Sequence, residues 1–134
     1  MTARGVRGAI SIEENTAESI RANTRELLTR MMEVNGIERG DVACAFFTTT
    51  SDLNADFPAA GARELGWTDV PLLCGHEMDV PGALQSVLRV LLLVNTEKSQ
   101  ADIIHVYLKE AQRLRPDQGG GGHASTTLEG SASP

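Results

Sequence analysis

The sequence predicts an α+β domain, a mixed β-sheet of about five strands with one long helix packed on one face. Three observations predict it. Short apolar segments with a two-residue period recur along the chain, and a single stretch of about twenty residues carries a helical period instead. Some connections between the short segments are too long for hairpins and others too short for crossovers, so the pairing must be mixed. The chain has 134 residues, of which 41% are hydrophobic and 22% charged. That is one domain's worth of sequence, with enough apolar content to bury a core of its own.

The first dozen residues read as a strand, with Val6, Gly8, Ile10 and Ile12 on one face and Gly5, Arg7, Ala9 and Ser11 on the other. A helix follows. Asn15 or Thr16 can cap it, and Glu18 stands in its first turn, where the helix dipole favours an acid. Ile20, Thr24, Leu27, Leu28, Met31 and Val34 make its buried stripe. Gly36 supplies a left-handed stop, and Ile37 folds back against the last turn. Residues 42–50 form a second strand rich in aromatic and β-branched side chains, closed by Ser51, Asp52 and Asn54. Pro58 opens a short helix through Leu65, because its missing N–H is no loss at a first helical position. Residues 70–74 are a short third strand, and Pro81-Gly82 marks a turn. Residues 86–95 are apolar on both faces, which predicts a central, doubly covered strand. The last strand spans residues 103–108, with Ile104, Val106 and Leu108 opposite His105 and Tyr107. Residues 1–117 thus form one domain, and the Gly/Ser-rich residues 118–134 a flexible tail.

Composition narrows the functional classes. No apolar run, residues 90–94 included, approaches the roughly 18–20 residues of a membrane span. The first residues lack the apolar block of a secretory signal, so a cytoplasmic location is expected. A net charge of −6 argues against a nucleic-acid partner. Cys44 and Cys74 form no CxxC pair and read as reduced thiols.

The cations are unusual in kind. Only Lys98 and Lys109 are lysine; every other cation is arginine, the residue suited to gripping a planar carboxylate with two hydrogen bonds. Arg89 interrupts an apolar strand, on the face of Val87 and Leu91. A charge there needs either a buried acidic partner or a solvated cleft, and residue pattern alone does not choose between a structural ion pair and an anion grip. Arg7 projects from a face of small residues, which leaves room around its guanidinium; alone, it would read as an exposed edge arginine. The segment CGHEMD at residues 74–79 is a dense polar knot, but Val80 stands where a zinc-binding HExxH motif needs its second histidine. His105 and His123 add no ligand spacing, so no metal site is expected. The glycine run at residues 119–122 lacks the Lys-Ser/Thr of a phosphate loop.

Five blocks in order carry a resemblance: RGVRGAISIEENT, TTSDLNADFPAAGARELGW, VPLLCGHEMDVPGAL, RVLLLVNT and HVYLKEAQRLRPD. Together, from Arg4 to Asp117, they resemble the small monofunctional chorismate mutases of the trimeric α/β class. The resemblance implies an isomerase that converts chorismate to prephenate without a cofactor, as a homotrimer with active sites between subunits. It implies that Arg89 bonds the ether oxygen and a substrate carboxylate, and that Arg7 and Tyr107 hold the enolpyruvyl carboxylate. Glu77 would accept from the ring hydroxyl, with Leu73 and Cys74 also at the substrate. Phe57, Ala59 and Arg63 would come from the neighbouring subunit, and Leu114 and Arg115 would lie near the mouth. Ala60 departs from the pattern, since some members carry a lysine there; that contact is then absent or made by Arg63 or Arg115.

The chemistry suits these residue types. A Claisen-type rearrangement is unimolecular and needs no nucleophile or general base. It needs a compact substrate geometry and a fixed positive donor where charge grows on the ether oxygen. Two other readings remain at this point: an imine deaminase of the similar RidA-like trimeric fold, whose motifs are not found in the sequence, and a non-catalytic metabolite-binding trimer.

Overall fold

The computed structural model describes residues 1–114 and 126–129. In chain order the elements are β1 (Thr2–Ser11), α1 (Ala17–Asn35), β2 (Val42–Thr49), α2 (Pro58–Glu64), β3 (Leu72–His76), β4 (Val87–Thr96), β5 (Ile104–Leu108) and β6 (Thr126–Glu129). They form one sheet in the order β3-β2-β4-β1-β5-β6. Pairing is mixed, as expected. β4 runs antiparallel to both β1 and β2, while β1–β5, β2–β3 and β5–β6 are parallel.

Helix α1 begins and ends where its local chemistry dictates. Of the two candidate caps, Thr16 is the one used; its Oγ1 accepts the Ser19 N–H at 3.1 Å. Gly36 takes φ 63°, and the Ile37 N–H reaches back to the Met32 carbonyl at 3.0 Å. The stripe Ile20, Thr24, Leu27, Leu28 and Met31 is fully buried. It packs on Val6, Ile10, Leu88, Leu92, Val106 and Leu108 in one continuous core. Two glycines allow close approach. A Cβ on Gly8 would lie 2.4 Å from Met31 Sδ, and one on Gly61 2.7 Å from the Arg21 carbonyl oxygen, so α1 sits tightly on both β1 and α2.

Several expectations are corrected. β4 is central, but only its inner face is covered along its length; on the outward face Val87 alone is buried. Leu88, Val90, Leu92 and Val94 are buried, whereas Arg89, Leu91 and Leu93 face outward and are exposed. The helical layer covers one face of the sheet; among the described residues the other is covered only in part, where Ala111, Leu84 and Leu114 pack over Ala9, Val87 and Tyr107. The five expected strands are present, and Thr126–Glu129, inside the predicted tail, adds a sixth beside β5. The rest of the tail lies outside the described residues. β3 starts two residues later than the sequence pattern suggests, and Arg7 is on no edge, since β1 runs between β4 and β5.

Candidate active site

The uncovered face of the sheet carries the candidate site, and strand register assembles it. Tyr107 on β5 pairs with Ala9 on β1, Ala9 with Arg89 on β4, and Arg89 with Thr48 on β2, so these four form one row. In the next row Arg7 pairs with Leu91 and Leu91 with Phe46. The small Ala9 between Tyr107 and Arg89 leaves space for two large polar side chains. With Leu114, these residues line a cleft of about 400 Å³. Arg7 is exposed and Leu114 half-buried. Tyr107 is 5% exposed, packed with Ala9, Val87 and Ala111 so that its ring is fixed.

Glu77 joins through Arg89. Its Oε2 lies 3.1 Å from Arg89 Nε and also accepts the Thr48 hydroxyl. The Glu77 N–H is held by the Thr49 carbonyl at 2.8 Å, which extends the pairing of β3 with β2 past the end of the strand. The two explanations of Arg89 therefore meet in one side chain: it has an acidic partner and it lines the cleft. With Nε engaged by Glu77, the planar fork is held in one orientation.

A second cleft of about 390 Å³ contains Phe57, Pro58, Cys74 and His76, and shares no lining residue with the first. Phe57 is 68% exposed and stands at the start of α2. Ala59 is buried and Arg63 exposed on that helix. Burial pushes the Cys74 thiol above its ordinary range, against a hydrogen bond from the Ala59 backbone N–H and the charge of Arg63. Cys74 therefore belongs with Phe57, Ala59 and Arg63 rather than beside Glu77. Leu73, its neighbour on β3, is 62% exposed. The loop before α2 is tied down by Asn15, whose Oδ1 accepts the N–H groups of Asn54 and Ala55, both at 3.0 Å. Arg21 fixes its far end through Asp56 at 2.7 Å; that hydrogen bond and one from the Phe57 N–H hold the Asp56 carboxyl below the usual range.

The structure thus brings Arg7, Arg89, Glu77, Tyr107 and Leu114 together, leaves Leu73 on the same outward face beside Phe46, and places Phe57, Ala59, Arg63 and Cys74 in a separate region of the same protomer. Arg115 lies outside the described residues. Sequence reading missed Thr48, which positions Glu77, and the apolar lining residues Phe46 and Leu91. The strand period puts all three on the outward face, and that period was the signal that could have found them. It also missed Lys109, which leads β5 into the 3-10 segment Lys109–Leu114 at φ 56°. Its Nζ donates to Asn23 Oδ1 at 2.7 Å, anchoring to α1 the segment that carries Leu114.

Comparison with known proteins agrees with this geometry. Residues 3–118 match the family described as chorismate mutase type I. The chain is 53% identical to chorismate mutase AroH of Thermus thermophilus over 115 residues, which is 85% of this chain and 94% of that protein. It is 44% identical to chorismate mutase AroH of Bacillus subtilis over 118 residues, covering 87% of this chain and 93% of that one. The solved structure of the chorismate mutase from Clostridium thermocellum superimposes with a TM-score of 0.80 at 48% identity, over 81% of this chain and 97% of the other. An open arginine-lined cleft on a mixed sheet, with close relatives matched along nearly their whole length, makes the chain a member of the type I chorismate mutase family.

Proposed function

We propose that Arg89 supplies the transition-state stabilisation by which this chorismate mutase rearranges chorismate to prephenate. One C–O bond breaks as one C–C bond forms, and negative charge grows on the departing ether oxygen. A guanidinium held in place beforehand meets that charge without reorganising as the bond lengthens. The observation that carries this reading is the position of Arg89: fixed on one side by Glu77 and facing a cleft that Arg7 and Tyr107 also line. Arg7 and Tyr107 suit the substrate's enolpyruvyl carboxylate, and Glu77 its ring hydroxyl. Their joint task is to keep a flexible dianion in the compact, chair-like form that brings the bonding carbons together. The protein's negative charge does not oppose this, because diffuse surface charge is screened beyond about 8–10 Å while the cleft arginines act at contact.

The same reading makes the chain a homotrimer in the cytoplasm. Two features support the assembly. The outward sheet face exposes Phe46 at 40%, Leu91 at 41% and Leu93 at 37%, an apolar strip that a protomer alone leaves wet. Phe57 and Cys74 line a different cleft from Arg89 in their own chain, and a neighbouring subunit would bring that region, with Ala59 and Arg63, to the Arg89 cleft. The chorismate mutase relatives weigh against a RidA-like imine deaminase and a non-catalytic binding trimer.

Substitution of Arg89 by lysine tests the reading. The charge is kept but the fork is lost, and turnover of chorismate should fall by about 10²–10³ while KM changes much less. A lysine variant with parental turnover would take Arg89 out of the role.

A further inference from the structure

We propose that His105 is the positioning residue for Arg7, an inference that rests on the proposed role of Arg7 at the substrate carboxylate. The β1–β5 ladder pairs Gly8 with Val106, Ala9 with Tyr107 and Ile10 with Leu108. Arg7 lies one residue before it. A backbone N–H at that point needs an acceptor, and the His105 side chain provides it: Nδ1 accepts the Arg7 N–H at 3.0 Å. A second side chain does the same two residues earlier, where Gln100 accepts the Gly5 N–H at 2.9 Å and donates to the Gly5 carbonyl at 2.7 Å. The segment that carries Arg7 is therefore held by side chains standing in for the missing strand.

The bond requires Nδ1 to be unprotonated. Burial, together with the nearby positive charge of Arg7, lowers His105 to about 4, so the acceptor form is the resting one. The protonated ring would present a donor to a donor. His105 touches neither the cleft nor the substrate in this reading. It fixes the Cα from which the Arg7 side chain starts, and a small change there moves the guanidinium at the far end by more.

The test is steady-state kinetics with chorismate on His105→Leu, His105→Asn, Arg7→Ala and the double variant Arg7→Ala/His105→Leu, with a thermal melt of each. Leucine removes the acceptor; asparagine restores one close to the position of Nδ1. His105→Leu should raise KM on the order of tenfold, with kcat reduced by less than about threefold, because a gripping residue is displaced and the ether-oxygen donor is not. His105→Asn should recover most of the loss. In the Arg7→Ala background the leucine substitution should add nothing, since the residue it positions is gone. Equal losses in both backgrounds, or asparagine no better than leucine, would overturn the proposal. Parental kinetics in Arg7→Ala alone would instead overturn the role of Arg7 itself, and the proposal with it.

Discussion

Glu77 and Arg89 share one oxygen-to-nitrogen contact, and the geometry of that contact sets what each can do. Glu77 spends Oε2 on Arg89 and Thr48, which leaves Oε1 for the ring hydroxyl in the proposed complex. Glu77→Gln still offers an amide oxygen, so it should retain clearly more activity than Glu77→Ala. Equal rates in the two would mean that the hydroxyl contact is not what Glu77 provides. His105 adds a pH dependence of stability. Its ordinary value of 6.5 falls to about 4 in the folded chain, because burial penalises the charged form and Arg7 repels it. The unfolded chain therefore binds the extra proton first. The stabilisation is complete above 6.5 and is lost as pH falls from there toward 4. Denaturant midpoints measured across that window should decline in the parent and stay flatter in His105→Asn. Asp52 and Asp56 titrate below their ordinary value of 3.8, so their contributions fade only at lower pH.

Among the elements, α2 is the most exacting. It is only seven residues long, far below the length at which a helix holds its own shape in water, so packing on α1 must keep it folded. Gly61 is the point of closest approach, with Thr24 Cβ 2.9 Å and the Arg21 carbonyl oxygen 2.7 Å from where a Cβ would stand. Backbone does not yield as a flexible side chain does. Gly61→Ala should lower stability by about 1–3 kcal/mol despite the better helix propensity of alanine, and a calorimetric melt would show it. An unchanged melting temperature would mean that the α1–α2 contact is looser than its geometry implies. Because Phe57 precedes α2, and Ala59 and Arg63 ride on it, the variant should also lose activity in proportion to its displacement. The caps of α1 are the opposite case. Thr16 and Gly36 act locally, and their roles could be read directly from the chain.

For the molecule as a whole, the question is what covers the outer face of the sheet. Leu93 lies on that face without lining the cleft, so Leu93→Glu separates assembly from chemistry. Light scattering should show the parent as a trimer and the variant as a smaller species with activity largely lost. A variant that remains trimeric would place the interface elsewhere. The run of residues 86–95, apolar on both sides, belongs to this scale: its pattern predicts cover on both faces, and the described residues of one protomer cover the outer one only at Val87. Periodicity, caps and turn residues were enough to locate α1, β1, β2, β4 and β5, because each depends on neighbours within a few positions. Arg89 could be singled out as a charge in an apolar strand, and ordered motifs tied it to a family. The chain alone could not determine that Thr48 and Glu77 meet Arg89, that Cys74 sides with Phe57, or that residues 126–129 extend the sheet. Those facts depend on register between strands far apart in sequence. A shift of one residue would turn each of those side chains to the other face, and only the packed sheet sets that register.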